Sequence, residues 1–256
     1  MQKINILPVL VLSMFTQYSF SQKEDSTEKV FLFKGAVTVT NKGISLVPTF
    51  TLGKPAAIFD LSMGKKKLFF EPQLRFSLKG KPWSFLFWWR YKLKTDKKFS
   101  LTIGGHPALN FKTETHTING VANNYIIARR YLAGDLVPNY FIAKNVSVGL
   151  YYLYSRGLDY GTTRNGHFLT INANFSHIKL GEQFFARFIP QIYYLNQDEK
   201  DGFYYTTSLT LVKRNFPVSF QSMTNKIIHT NIPGSEDFLL NFSLIYSFSK
   251  NYVQHK

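Results

Sequence analysis

The chain has 256 residues, a formal net charge of +16, 17% aromatic residues and no cysteine. Disulfides, thiolate metal sites, cysteine nucleophiles and a lipidated cysteine are thereby excluded. The length suits one domain behind a leader segment.

In chain order, residues 1–21 read as a secretory signal peptide. Lys3 opens it, residues 6–15 (ILPVLVLSMF) form a short apolar core, and Ser19-Phe20-Ser21 makes a small-x-small cleavage site before Gln22. That core is shorter than the roughly 20 residues of a membrane-spanning helix. Residues 22–42 read as an N-terminal extension, polar at first and then extended over 30–40 (VFLFKGAVTVT).

From 43 to 250 the chain alternates between strand-like runs and turn signals. Twelve runs are expected, near 43–52, 56–63, 67–78, 81–94, 97–112, 126–142, 145–156, 167–178, 184–195, 203–213, 217–227 and 237–248. The first two are interrupted by Pro48 and by Gly53-Lys54-Pro55, and proline is poorly tolerated inside a sheet. A count of ten or fourteen also fits. Residues 251–256 form a tail.

The alternation has a period of two, which sends successive side chains to opposite faces of a strand. In the last run Phe238, Leu240, Phe242, Leu244, Tyr246 and Phe248 share one face, opposite Leu239, Asn241, Ser243, Ile245 and Ser247. In the run at 83–94, Trp83, Phe85, Phe87, Trp89, Tyr91 and Leu93 oppose Ser84, Leu86, Trp88, Arg90, Lys92 and Lys94. Six consecutive large apolar positions on one face of a strand suit lipid, and the polar set suits a lumen. The expected fold is an all-β, transmembrane, antiparallel up-and-down barrel. A soluble sandwich with the apolar set turned inward is the rival.

Parity puts Glu71, Arg75, Arg90, Lys92, His106, Asn110, Arg129, Asp135, Arg187 and Gln191 in the lumen. A parity break at Arg129-Arg130 predicts a bulge there. These charges suit either an ion-pair plug or a basic constriction that favours anions. Short turns gather at one end and longer connections (111–124, 157–166, 196–202 and 228–236) at the other, as in outer-membrane barrels. Lys65, Lys66, Lys67, Lys94, Lys97, Lys98, Lys213 and Arg214 fall at the short-turn, periplasmic end, where they could meet anionic lipid headgroups. Nucleic acid is not an expected partner, because no recognition module accompanies the charge.

The histidines are His106, His116, His167, His177, His229 and His255. None pairs at metal-ligand spacing, and no Gly-x-Ser-x-Gly or phosphate-cradling loop occurs. No cofactor, metal or catalytic residue is therefore assigned. His167 and His177 share outward parity, the place a lipid hydrolase would need its histidine.

The leader, the alternating strands and the run Leu244-Ile245-Tyr246-Ser247-Phe248 resemble Gram-negative outer-membrane β-barrel proteins of porin type. The resemblance implies an outer-membrane location, with Tyr246 and Phe248 as an aromatic signal read by barrel-insertion machinery. The expected function is a monomeric, narrow passage for small solutes with some preference for anions. A closed structural or interaction barrel and an outer-membrane lipid hydrolase stand as alternatives.

Overall fold

The computed structural model describes residues 30–118 and 120–253. The expected leader and its cleavage site lie outside them. Twelve strands form one closed antiparallel barrel. In chain order they are β1 (Val30–Thr40), β2 (Ala56–Lys65), β3 (Leu68–Ser77), β4 (Pro82–Thr95), β5 (Phe99–Ile118), β6 (Val121–Ala143), β7 (Val146–Gly157), β8 (Gly166–Lys179), β9 (Phe184–Gln197), β10 (Lys200–Lys213), β11 (Val218–Thr230) and β12 (Phe238–Val253). Each pairs with its chain neighbours, and β1 closes the ring by pairing with β12 from Val30↔Val253 to Thr40↔Ser243.

The count of twelve is as expected, but its first member differs. Residues 30–40 are a stave of the wall, not an extension, and 43–52 is not a strand. Gly43 and Gly53-Lys54-Pro55 close that segment into a loop, with Gly43 N–H donating to Lys54 O and Leu52 N–H donating to Gly43 O. Inside it Pro48–Phe50 makes a single 3₁₀ turn. The exchange leaves the sidedness intact, because either segment would ascend from the same end. At the C-terminal end β12 runs on to Val253.

The end carrying both described termini has the turns at 66–67, 96–98, 144–145, 180–183 and 214–217. All eight cations of the expected basic rim lie in or beside these turns. At the other end, the expected long loops at 111–124 and 196–202 are instead tight hairpins. β5 and β6 stay paired to Ile118↔Val121, and β9 and β10 to Gln197↔Lys200. Gly120 and Asp198 supply the positive φ these turns require.

Outward positions carry the oil. Leu132, Ile171, Ile192 and Leu244 are each more than half exposed, whereas Leu239, Asn241, Ser243 and Ile245 on the opposite face of β12 are buried. A water-facing surface rarely holds so continuous an apolar belt, and a barrel in lipid requires one.

Two irregularities change facing assignments. The β3–β4 register slips between Arg75 and Phe76, and Trp83, expected on the lipid face, is only 2% exposed and turned inward. The β8–β9 register slips between Phe175 and Ile178, so that His177 lines the lumen against Phe185, with ring centroids 4.5 Å apart. No slip occurs at Arg129-Arg130, where β5–β6 pairing is unbroken. Here β6 runs past the apolar belt into the outer rim, where a charge can face either way.

Candidate functional site: a two-sided lumen

The inner surface of β2–β6 is built in cross-strand rows. One joins Phe69, Arg90, Gly104 and Asp135. Arg90 binds the carboxylates on both sides, with Nε 3.0 Å from Glu71 Oε2 and Nη1 2.5 Å from Asp135 Oδ2. It reaches Asp135 across β5 because Gly104 stands between them: a Cβ there would lie 2.6 Å from Asp135 Oδ1 and 3.2 Å from Arg90 Cγ. The guanidinium also lies over Trp88 at 4.0 Å, and Trp88 in turn packs on His106 at 3.7 Å between centroids. Arg90 is thus fully engaged with two carboxylates and a ring, as a structural ion pair must be.

Arg75 stands in another row, with Ser84, Asn110 and Arg129. It donates to the Gln73 amide oxygen, while the Gln73 amide nitrogen donates to Asp60. No carboxylate among the described residues lies within ion-pair distance of Arg75. Its guanidinium sits over Trp83 at 5.1 Å.

The opposite wall is aromatic. Tyr151, Phe168, Tyr193 and Tyr204, one from each of β7 to β10, form an inward ladder whose successive centroids are 6.0, 5.0 and 4.8 Å apart. Tyr193 also donates to Asn225 Oδ1 at 2.9 Å. Sequence reasoning missed this ladder, although the doubled aromatics Tyr151-Tyr152, Tyr193-Tyr194 and Tyr204-Tyr205 carry its signal. One member of each pair must face inward by parity.

The loop at 41–55 crosses the bore between these walls. Leu46, 5% exposed, joins a cluster with Val137, Tyr151, Phe168, Tyr193, Leu195, Tyr204 and Ile232. Those residues belong to β6–β10 and the β11–β12 connection, while the loop springs from β1, so the contact spans the barrel. Trp83 Nε1–H donates to Phe50 O at 2.7 Å, Phe50 packs edge-on against Tyr131, and Gln197 Nε2–H donates to Thr49 Oγ1 at 3.0 Å.

Beneath and beside the loop lies a cavity of about 2110 Å³, bordered at the short-turn end by Lys97, Lys98, Lys144 and the β12 residue Lys250 and, at its far end, by Leu46, Phe50, Thr163 and Gln197. Its lining holds nine lysines and arginines against three acidic residues, Asp60, Glu71 and Asp96. Arg75, Arg90, Lys92, His106, Asn110, Glu71 and Arg187 all line it; Asp135 and Gln191 are buried in the wall. Arg129 does not border it. It sits at the outer rim, paired with Glu114 and donating to Tyr160 O.

At that rim the β7–β8 connection is clamped to β6. Asp159 accepts from Arg130 Nη2 at 2.6 Å and from the Arg130 backbone N–H at 2.6 Å. Those bonds, the side-chain one foremost, hold the Asp159 carboxyl down at about 2, from 3.8. A depressed carboxylate stabilises the docked loop fully above its unfolded value and loses that effect as pH falls through its folded one. A spin label at Tyr160, which is 97% exposed, is expected to stay slow from neutral pH to pH 5. It should then gain mobility between about pH 4 and 2. In Asp159→Asn the label should be mobile and insensitive to pH; a slow label in that variant refutes the clamp.

The outward histidine, His167, bonds Tyr152 Oη through Nδ1 at 2.9 Å. Phe248 packs near Phe33 at 5.7 Å and Tyr246 at 6.4 Å, while Tyr246 is 49% exposed on the belt.

No protein-family model and no curated protein sequence matches the chain. Solved structures do. The KdgM porin in complex with disordered oligogalacturonate is 11% identical, covering 85% of this chain and 99% of that one, at a TM-score of 0.50. The NanC porin is 12% identical over 86% of this chain and 100% of that one, at 0.47. LpxR from Salmonella typhimurium is 12% identical over 84% and 100%, also at 0.47. In fold, this chain is a closed twelve-stranded antiparallel barrel similar to that of the KdgM porin.

Proposed function

We propose that the protein sits in the outer membrane of a Gram-negative bacterium and provides a narrow passage for small anionic solutes. The observation that carries this reading is the large cavity with its threefold excess of cationic over acidic side chains. In a confined, low-dielectric bore such an excess attracts anions and repels cations over several ångströms. Exposed belt residues meet lipid, and the lysines at the short-turn end lie at headgroup height, each contact worth on the order of 1 kcal/mol with anionic lipid.

The test is conductance in a planar bilayer. Purified protein should give small, steady unitary currents whose reversal potential in a potassium chloride gradient reports chloride preference. Arg75→Gln should reduce that preference. The loop across the bore favours a second reading, a closed barrel with structural or interaction roles. Absence of any steady current over many insertions would establish it in place of the first.

A further inference from the structure

We propose that Arg75, Ser84 and Asn110 form a binding subsite for a small hydroxylated monocarboxylate, a reading that rests on solutes entering the lumen. The three occupy one cross-strand row on β3, β4 and β5. All three line the cavity, and they are 4%, 7% and 5% exposed. Among the described residues, Ser84 Oγ and Asn110 Nδ2 have no hydrogen-bond partner, and neither does Nδ1 of His106, which lies four residues before Asn110 on the same face of β5. Buried polar atoms are nearly always satisfied. A cluster of such orphans around one cation therefore marks a place where a ligand supplies the missing partners.

The row sets the chemistry of that ligand. Arg75 presents a planar fork that matches a carboxylate in two-point geometry. Asn110 and Ser84 are neutral and suit hydroxyl or carboxylate oxygens, and His106 Nδ1 adds one further polar contact. The charge is limited to one, because Arg75 is the single cation of the row facing the cavity and Asp60 lies only one amide away through Gln73. A dianion there would meet uncompensated repulsion. Arg90, by contrast, is already neutralised by Glu71 and Asp135. Position adds selectivity: Trp83, next to Ser84, holds the Phe50 carbonyl of the crossing loop, so the subsite lies at the narrowed part of the bore.

Gluconate, sorbitol and inorganic phosphate are titrated into the full chain in detergent micelles, with tryptophan emission as the readout. Trp83 and Trp88 flank the row, while Trp89 faces outward and gives a constant background. Gluconate should produce a saturable change, with sorbitol at least about tenfold weaker, the loss of one charge-assisted hydrogen bond, and phosphate weaker because its second charge finds no second cation in the row. Arg75→Gln and Asn110→Ala should each weaken gluconate by about tenfold, and Ser84→Ala by a smaller factor. Heat-modifiable gel migration identifies folded variants. If Arg75→Gln does not fold, the two neutral variants decide. Unchanged titration in the folded variants, or equal response to sorbitol and gluconate, overturns the subsite. Parallel bilayer recordings keep the two readings separate. Titration without current removes the passage and leaves the subsite, whereas current without titration removes the subsite and leaves the passage.

Discussion

Excising residues 44–52 and rejoining β1 to β2 by a short turn should raise the single-channel conductance several-fold. The loop occupies the bore from one wall to the other, because Leu46 reaches the aromatic ladder of β7–β10 while Trp83 on β4 holds the Phe50 carbonyl. The barrel itself does not depend on it. Ring closure runs through eleven paired positions between β1 and β12 and ten between β1 and β2, none of them in the loop. A gentler version is Leu46→Ala, which leaves a gap in the cluster and should weaken docking by about 2–5 kcal/mol. That variant should flicker between the native conductance and the larger one. Leu46→Asp should hold the larger level most of the time, since it would bury a carboxylate in a cluster whose described members include no cation. Identical conductance in the excised and native chains would show that ions pass elsewhere and that the loop does not narrow the path.

Much of this architecture was legible in the sequence because a membrane barrel writes both faces of each strand into alternate residues. β12 is the clearest instance, alternating without a break from Phe238 to Ile245. What alternation could not convey was a choice between two adjacent segments, 30–40 and 43–52, that would ascend from the same end. Backbone chemistry decides it: Gly43, Pro48, Gly53 and Pro55 cannot sustain a ladder, whereas residues 30–40 contain no proline. Facing failed at Trp83 and His177 for a related reason. A single unpaired residue at a register slip inverts parity beyond it, and no local residue type announces the slip. At Arg129-Arg130 the inference erred in the opposite sense. Two neighbouring arginines suggested a bulge only on the premise that both strand faces there lie within the bilayer.

The candidate lumen residues were legible as a set but not by role. Parity places Arg75 and Arg90 on one face without distinction, and nothing in the one-dimensional pattern tells an occupied guanidinium from an available one. The difference lies in cross-strand register. Gly104 falls between Arg90 and Asp135 and lets them meet, while Ser84 and Asn110 are the neighbours Arg75 receives. Sequence spacing alone could not bring Glu71, Arg90 and Asp135 together, since the last pair is separated by 45 positions.

Arg90→Met should therefore be the most destabilising single change in the lumen. The Asp135 side chain is 0% exposed and Arg90 13%, so removing the cation strands one wholly buried carboxylate and leaves Glu71 near it. Breaking a buried pair from one side costs about 3–5 kcal/mol. Asp135→Asn should cost less, about 1–3 kcal/mol, because Arg90 keeps Glu71 and only a charge-assisted hydrogen bond is lost. Combining the two should recover part of the Arg90→Met deficit, since the stranded charge is then gone and the sites are coupled. Gly104→Val tests the same trio from between its members: its Cβ would force Asp135 Oδ1 and Arg90 Cγ apart, with the Trp89 carbonyl oxygen also only 3.2 Å away. Its cost should shrink when Arg90 is already methionine, because the pair it separates no longer exists. Urea unfolding in micelles, followed by tryptophan emission, measures all five variants. An Arg90→Met barrel as resistant as the native one, or a double variant no better than Arg90→Met, would show that water in the lumen already screens these charges.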